Sequence, residues 1–390
     1  MELFNDLKTM LKKNIRDYGM FIALFLIMLV FSFLSDGVFM SPRNISNLIN
    51  SMGYIAVLAV GMTLVLIIKH IDLSVGFVAG FLGAVAALLL TEYKLPVLVV
   101  IPIILILGIF IGLFNGFLVS TMKIPAFVVS LAGMLIFRGA LLQVTSRTGT
   151  IIVPNRSFNA IGNGFIPDLS LISGYHTITL LIGLIGIVLY IYSQFSNRRN
   201  KLKYNFEVVP IKIFYIKLVF VSAIIAYVTW ILSKYNGISW TVVIVAIVVA
   251  VYHFLTTKTV LGRHIYAVGG NSEASTLSGI DVKKVTLFVF ASMSMLAALS
   301  GILFTARLQS ATTTAGTSFE LDAIASAYVG GVSAAGGVGK VTGSIIGALV
   351  MASLTSGMNL LNVGISYQYM IRGAILILAV VFDVLTRNKK

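Results

Sequence analysis

Residues 96–120 read PVLVVIPIILILGIFIGLFNGFLVS, without one ionisable side chain. A bilayer core about 30 Å thick is crossed by roughly 17 to 25 apolar residues in a helix, so this stretch reads as a membrane span. The rest of the chain agrees. With 58% hydrophobic and 11% charged residues and a mean hydropathy of +1.01, its 390 residues have too little polar surface to cover a water-soluble globule. Further runs bounded by charges, Pro or Gly lie at 18–35, 50–68, 74–91, 125–145, 175–195, 212–233, 238–256, 285–306, 319–335, 341–361 and 366–386, giving twelve expected spans. Gly53 and Gly61 punctuate the run at 50–68. Glu320, Asp322, Gly330 and Gly331 punctuate that at 319–335. The run at 18–35 is expected to remain uncleaved, because it exceeds a signal-peptide core and SFLSDGVF offers no small-x-small site. None of the runs alternates apolar and polar residues as barrel strands do. The expected fold class is an all-α polytopic membrane protein, a single transmembrane unit over 1–390.

Orientation follows from lysine and arginine. With the N-terminus in the cytoplasm, inside segments hold 20 of the 28, beginning with Lys8, Lys12 and Lys13 and ending with Lys389 and Lys390. Arg43, Lys94, Arg147, Arg156, Lys234 and Arg307 then fall outside, and Arg138 and Arg372 within spans. The positive-inside bias therefore places both termini in the cytoplasm. The net charge of +15 is topology dispersed over short loops, not a nucleic-acid face.

Catalytic readings find little support. Cysteine is absent, the four histidines lie on different loops or helix ends, and no HExxH pair occurs. SAAGGVGKVTGS (333–344) resembles a phosphate loop but has Ala334 where the first Gly belongs and Val341 after Lys340, so no cofactor is expected on this chain. It reads as a tight inner turn.

Two inner turns resemble each other. KHIDLS leads into VGFVAGFLGAVAAL, and GGVGK leads into VTGSIIGALVMASL. Gly76, Gly80, Gly83 and Ala84 in one helix, and Gly343, Gly347 and Ala348 in the other, would let backbones approach closely in lipid. A duplicated pair lining a pathway and two ordinary packed helices both fit. In the first turn, Lys69 and Asp72 are expected at the inner membrane edge, neutralising one another, with Ser74 opening the helix. Within the spans, Asn115, Arg138, Gln143, Asp322 and Arg372 each need a partner or a cavity. All but Arg372 are candidates for pathway or gating roles.

The cytoplasmic loop at 257–284 is long for a connector. Inside it SEASTLSG reads as a short helix, with Ser272 as its cap, Glu273 favourable to its dipole and Gly279 as its end. It forms a projecting knob suited to a soluble partner.

Here the residues resemble a family. Glu273, Ala274 and Gly279 are similar to the coupling loop of ATP-binding-cassette importer permeases, with Ser275 replacing its second alanine. Together with IDLSVG (71–76), NGFLVSTMKIPAFVVSLAGMLIFRG (115–139), GRHIYAVGGNSEASTLSGIDV (262–282) and ELDAIASAYVGGVSAAGGVGKVTGSIIGAL (320–349), the chain resembles the permeases of ribose, xylose, galactose and arabinose importers. Residues 196–260 look like a two-helix insertion into a ten-span core, as in the longer xylose and multiple-sugar permeases. The resemblance implies a non-catalytic subunit of the bacterial plasma (inner) membrane. Its implied partners are a second permease copy, a cytoplasmic ATPase with two cassettes that uses the ATP, and an extracytoplasmic sugar-binding protein. It assigns ATPase coupling to Glu273, Ala274, Ser275 and Gly279. An ion-driven secondary transporter is the rival reading; it would need intramembrane carboxylates, of which the spans offer little beyond Asp322.

Overall fold

A computed structural model of the chain describes residues 15–206 and 208–387. Helices α1 (Ile15–Leu34), α2 (Pro42–Ile67), α3 (Val75–Thr91), α4 (Val97–Ser120) and α5 (Ala126–Thr145) come first. A short strand β1 (Thr150–Ile152) and helix α6 (Arg156–Asn163) follow, then α7 (Thr177–Lys203), α8 (Ile211–Ser233) and α9 (Trp240–Lys258). Next come α10 (Val260–Gly270), α11 (Ser272–Leu277), α12 (Val282–Leu308), strand β2 (Ser310–Thr312), α13 (Phe319–Val329), α14 (Val341–Leu360) and α15 (Ile365–Arg387). The terminal lysines Lys8, Lys12, Lys13, Lys389 and Lys390 lie outside the described residues.

Among the described residues, nine helices are long and apolar enough to cross a membrane, and the Gly19–Leu34 part of α1 and α3 are shorter apolar helices. These eleven correspond to eleven of the twelve expected spans. The run at 319–335 is the exception. Its helix α13 has 11 residues, about 16 Å of rise against the roughly 30 Å a bilayer core requires. Gly330 ends it and Gly331 turns the chain with φ +87°, a conformation that costs other residues far more than glycine.

Helices α2 and α12 form the centre, with α3 and α4 packed on α12 and the α13–α14 pair on α2. Bare glycine backbones allow these approaches. On α3, a side chain at Gly83 would meet the Gly301 carbonyl and the Thr305 hydroxyl of α12; on α14, one at Gly343 or Gly347 would collide with the Gly330 or Ser326 carbonyl. The stripe read on α3 and α14 is thus a packing device, as bilayer association by van der Waals contact demands. The stripe Gly108, Gly112 and Gly116 on α4 does the same against Ser294, Phe290 and Leu287 of α12.

On the face opposite the 257–284 loop, β1 pairs antiparallel with β2, Thr150 opposite Thr312. Asn163 on α6 donates from Nδ2 to the Ala306 and Arg307 carbonyls at the end of α12, both at 2.9 Å. Helices α7 and α8 pack chiefly on each other at the edge of the bundle.

Candidate functional site: the coupling face and the inner turns

Three side-chain caps shape the 257–284 loop. Thr259 Oγ1 accepts from Gly262 N at 3.1 Å to open α10, and Asp281 Oδ1 accepts from Lys284 N at 3.1 Å to open α12. Between them, α11 is capped by Asn271, whose Oδ1 accepts from Ala274 N at 3.0 Å. This corrects the expectation for Ser272, which is the first helical residue; Asn271 has the extended backbone a cap requires. The Lys284 amide, and then its ammonium 3.2 Å away, hold the Asp281 carboxyl below the usual aspartate range.

Gly279, at φ +82°, ends α11 in the left-handed conformation, with Ile280 N donating to the Ser275 carbonyl at 3.0 Å. Ser275 is turned inward and donates from Oγ to the Asn271 carbonyl at 2.7 Å. Glu273, Ala274 and Thr276 face outward, and so does Leu277, which is 89% exposed. An apolar side chain at the tip of an otherwise polar knob is a candidate anchor for a partner. Sequence reading passed over it, although a lone leucine in SEASTLSG was the available signal.

This loop is tied to both inner turns. Lys69 Nζ donates to the Gly270 carbonyl at 3.0 Å, and Tyr266 Oη donates to the Gly339 carbonyl at 2.7 Å. Gly337 N donates to the Ile67 carbonyl at 2.8 Å, closing the triangle. Gly269 lies so close to Ile67 that any side chain there would strike its carbonyl. Beside α11 opens a groove of about 920 Å³ lined by Lys69, Lys123, Lys283, Glu273, Thr276 and Asp281, among others.

Lys69 and Asp72 do not share one role. Asp72 is fully buried and its Oδ1 accepts from Ser74 N at 2.9 Å and Ser74 Oγ at 2.6 Å, while Oδ2 has no hydrogen-bond partner among the described residues. Ser74 lies against Gly133 of α5, seven residues beyond Ala126. At 1.5 Å per residue, α3 therefore starts about 10 Å inside the end of α5. The expectation that Lys69 and Asp72 neutralise one another is corrected: Asp72 is buried against Ser74, whereas Lys69 is exposed and bonds the Gly270 carbonyl.

The four expected pathway residues do not converge. Asn115 is buried, its Nδ2 without a hydrogen-bond partner among the described residues and on the same side of Gly133 as Ser74. Asp322 pairs with Arg372 at 3.4 Å, and Arg372 also donates to Thr355 Oγ1 at 2.9 Å. Arg138 and Gln143 lie exposed on α5, with the Arg138 guanidinium 5.7 Å over the Phe77 ring.

Comparison with known proteins places the chain. The family described as "Branched-chain amino acid transport system / permease component" matches residues 44–380. The xylose transport system permease protein XylH of Haemophilus influenzae is 40% identical over 378 residues, covering 97% of this chain and 98% of the relative. The XylH protein of Escherichia coli K12 is 36% identical over 386 residues, with 99% and 95% covered. The ribose import permease protein RbsC of Haemophilus influenzae is 35% identical over 370 residues, with 95% and 94% covered. No solved structure gives a significant match. A membrane-embedded helical bundle, matched by the family signature over most of its length and by transport permeases nearly end to end, belongs to this family of transport-system permease components.

Proposed function

We propose that the chain is the transmembrane permease subunit of an ATP-binding-cassette importer for a monosaccharide, xylose or a related sugar, in the bacterial inner membrane. It works as a pair of permease copies fed by an extracytoplasmic sugar-binding protein, and a separate two-cassette ATPase docks on α11. The chain itself is non-catalytic, and the ATP is used by that partner. The observation behind this reading is the exposed knob Glu273–Leu277, bonded through Lys69 and Tyr266 to the turns that begin α3 and α14. A push on α11 reaches both helices without crossing a flexible linker. Alternating access then follows if ATP and sugar favour different arrangements of those helices.

Arg138 supports the second copy. A charge at mid-span costs about 2.5 to 3.5 kcal/mol on insertion scales unless it meets protein or water, and Arg138 is exposed on the isolated chain. A partner copy or a wet pathway against α5 supplies what lipid does not.

Buried Glu320 and half-buried Asp322 keep the ion-coupled rival in view, since coupling carboxylates are what it needs. The deciding experiment reconstitutes the chain with and without its ATPase and sugar-binding protein. Sugar uptake only in the complete, ATP-supplied system supports the proposal; uptake by the chain alone under an ion gradient overturns it.

A further inference from the structure

The link between β2 and α13, TTAGTS (313–318), descends into the membrane without forming a helix. At its outer end Thr312 pairs with Thr150, beyond the last turn of α5. Four residues on, the Gly316 carbonyl lies against Gly76 in the first turn of α3, and the Ala315 carbonyl against Gly80. Since α3 begins about 10 Å inside the end of α5, this contact stands roughly 13 to 19 Å deep, at the centre of a core about 30 Å thick. Thr314 and Thr317 are nonetheless exposed there. Irregular, hydroxyl-bearing backbone at such depth is tolerated only when covered by protein or facing water.

A second observation points to a ligand. Glu320, 7% exposed, directs Oε2 at Gly76, and that oxygen has no hydrogen-bond partner among the described residues. An unmatched carboxylate oxygen at this depth costs free energy unless some state of the protein supplies a donor. Phe319, its neighbour in sequence, packs with Tyr54 and Phe304 in the core, the ring centroids 4.8 to 5.0 Å apart. Exposed hydroxyls beside a carboxylate acceptor suit a polyhydroxylated ring, whose O–H groups need acceptors and whose oxygens take donors. Interrupted segments meeting near the bilayer centre are also where transporters place their substrate contacts.

We propose that residues Thr312–Ser318, with Glu320 beneath them, line the sugar's route at the middle of the membrane and hold it transiently through hydroxyl contacts. This rests on the sugar-permease reading above and extends it to named residues. The natural lack of cysteine makes the test direct. Thr314→Cys and Thr317→Cys are placed singly in the complete importer in proteoliposomes and treated with a membrane-impermeant maleimide in the nucleotide-free, ATP and vanadate-trapped states.

Both cysteines are expected to react in at least one state, more slowly when xylose-loaded binding protein is present. Glu320→Gln is expected to slow xylose transport about tenfold, the loss of one hydrogen bond to a charged group, with ATPase association unchanged. Cysteines unreactive in every state, or joined spontaneously to the second copy, overturn the proposal. Labelling without protection by sugar, or wild-type transport by Glu320→Gln, overturns the sugar contact. A wild-type importer that moves no sugar would instead defeat the substrate reading, and labelling would still decide whether the segment faces water.

Discussion

The Lys69 ammonium lies 3.0 Å from the Gly270 carbonyl, joining residues 201 positions apart in sequence. One belongs to the turn that opens α3, the other to the end of α10 beside the exposed knob. A cation on a helix's terminal carbonyl complements the dipole there, but Lys69 is exposed, so the bond is expected to add little to stability. Lys69→Met is expected to change overall stability by less than about 1 kcal/mol while lowering the sugar moved per ATP hydrolysed. Measuring both rates in the reconstituted importer checks this; an unchanged ratio removes Lys69 from the coupling route.

Leu277 is expected to anchor the ATPase. Central apolar residues at interfaces are commonly worth about 1 to 3 kcal/mol, so Leu277→Asp should weaken ATPase association about 10- to 100-fold without impairing membrane insertion. Titration of the ATPase onto the solubilised permease gives the affinity. Wild-type binding would place the contact elsewhere.

Gly279 offers a test that separates backbone from bulk. Nothing lies within 4 Å of where its side chain would project, yet its φ is +82°. Gly279→Val is expected to strain α11 by about 1 to 2 kcal/mol and reduce coupling, whereas Gly279→Asn, which visits this conformation more readily, is expected to retain it. Equal behaviour of the two variants would show that the turn conformation is not what matters.

Asp281 provides a pH signature. Its folded-state pKa is depressed by the Lys284 amide and ammonium. A depressed carboxylate contributes stability that is present above its unfolded pKa and lost as pH falls through the folded one. Protection of the Lys284 amide from hydrogen exchange should therefore persist at neutral pH and fade only below the ordinary aspartate range. Asp281→Asn should remove that pH dependence.

Gly112 tests the centre of the bundle. A side chain there would strike the Phe290 carbonyl of α12, so Gly112→Leu is expected to push α4 from α12 at a cost of about 1 to 3 kcal/mol or more. A lower Tm of the detergent-solubilised chain would register it, whereas Gly139→Leu, at a site with nothing within 4 Å, should leave Tm nearly unchanged.

Much of this protein is legible in one dimension because the bilayer imposes a one-dimensional rule: uninterrupted apolar length. Residues 96–120 meet it alone, and α4 forms where they predict. The knob was legible for a similar reason, since a polar run with a glycine stop, SEASTLSG, makes a local helix through its own backbone and caps. Its cap lies one residue before the expected Ser272 because Asn271 and Ser272 are both good acceptors, and only the extended backbone of Asn271 separates them.

What composition could not supply was depth and partnership. The runs at 74–91 and 319–335 both meet the apolar rule, but α3 begins alongside Gly133, seven residues into α5, and α13 stops after 11 residues. Lys69 and Asp72, three residues apart, bond a main-chain carbonyl of the 257–284 loop and a buried serine. The sequence by itself determined that this chain lives in lipid as packed helices, because local hydropathy decides that. Tertiary structure alone decided which interrupted segments meet at Gly76 and which carboxylate is left there without a donor, because those depend on backbones brought together from more than 200 residues apart.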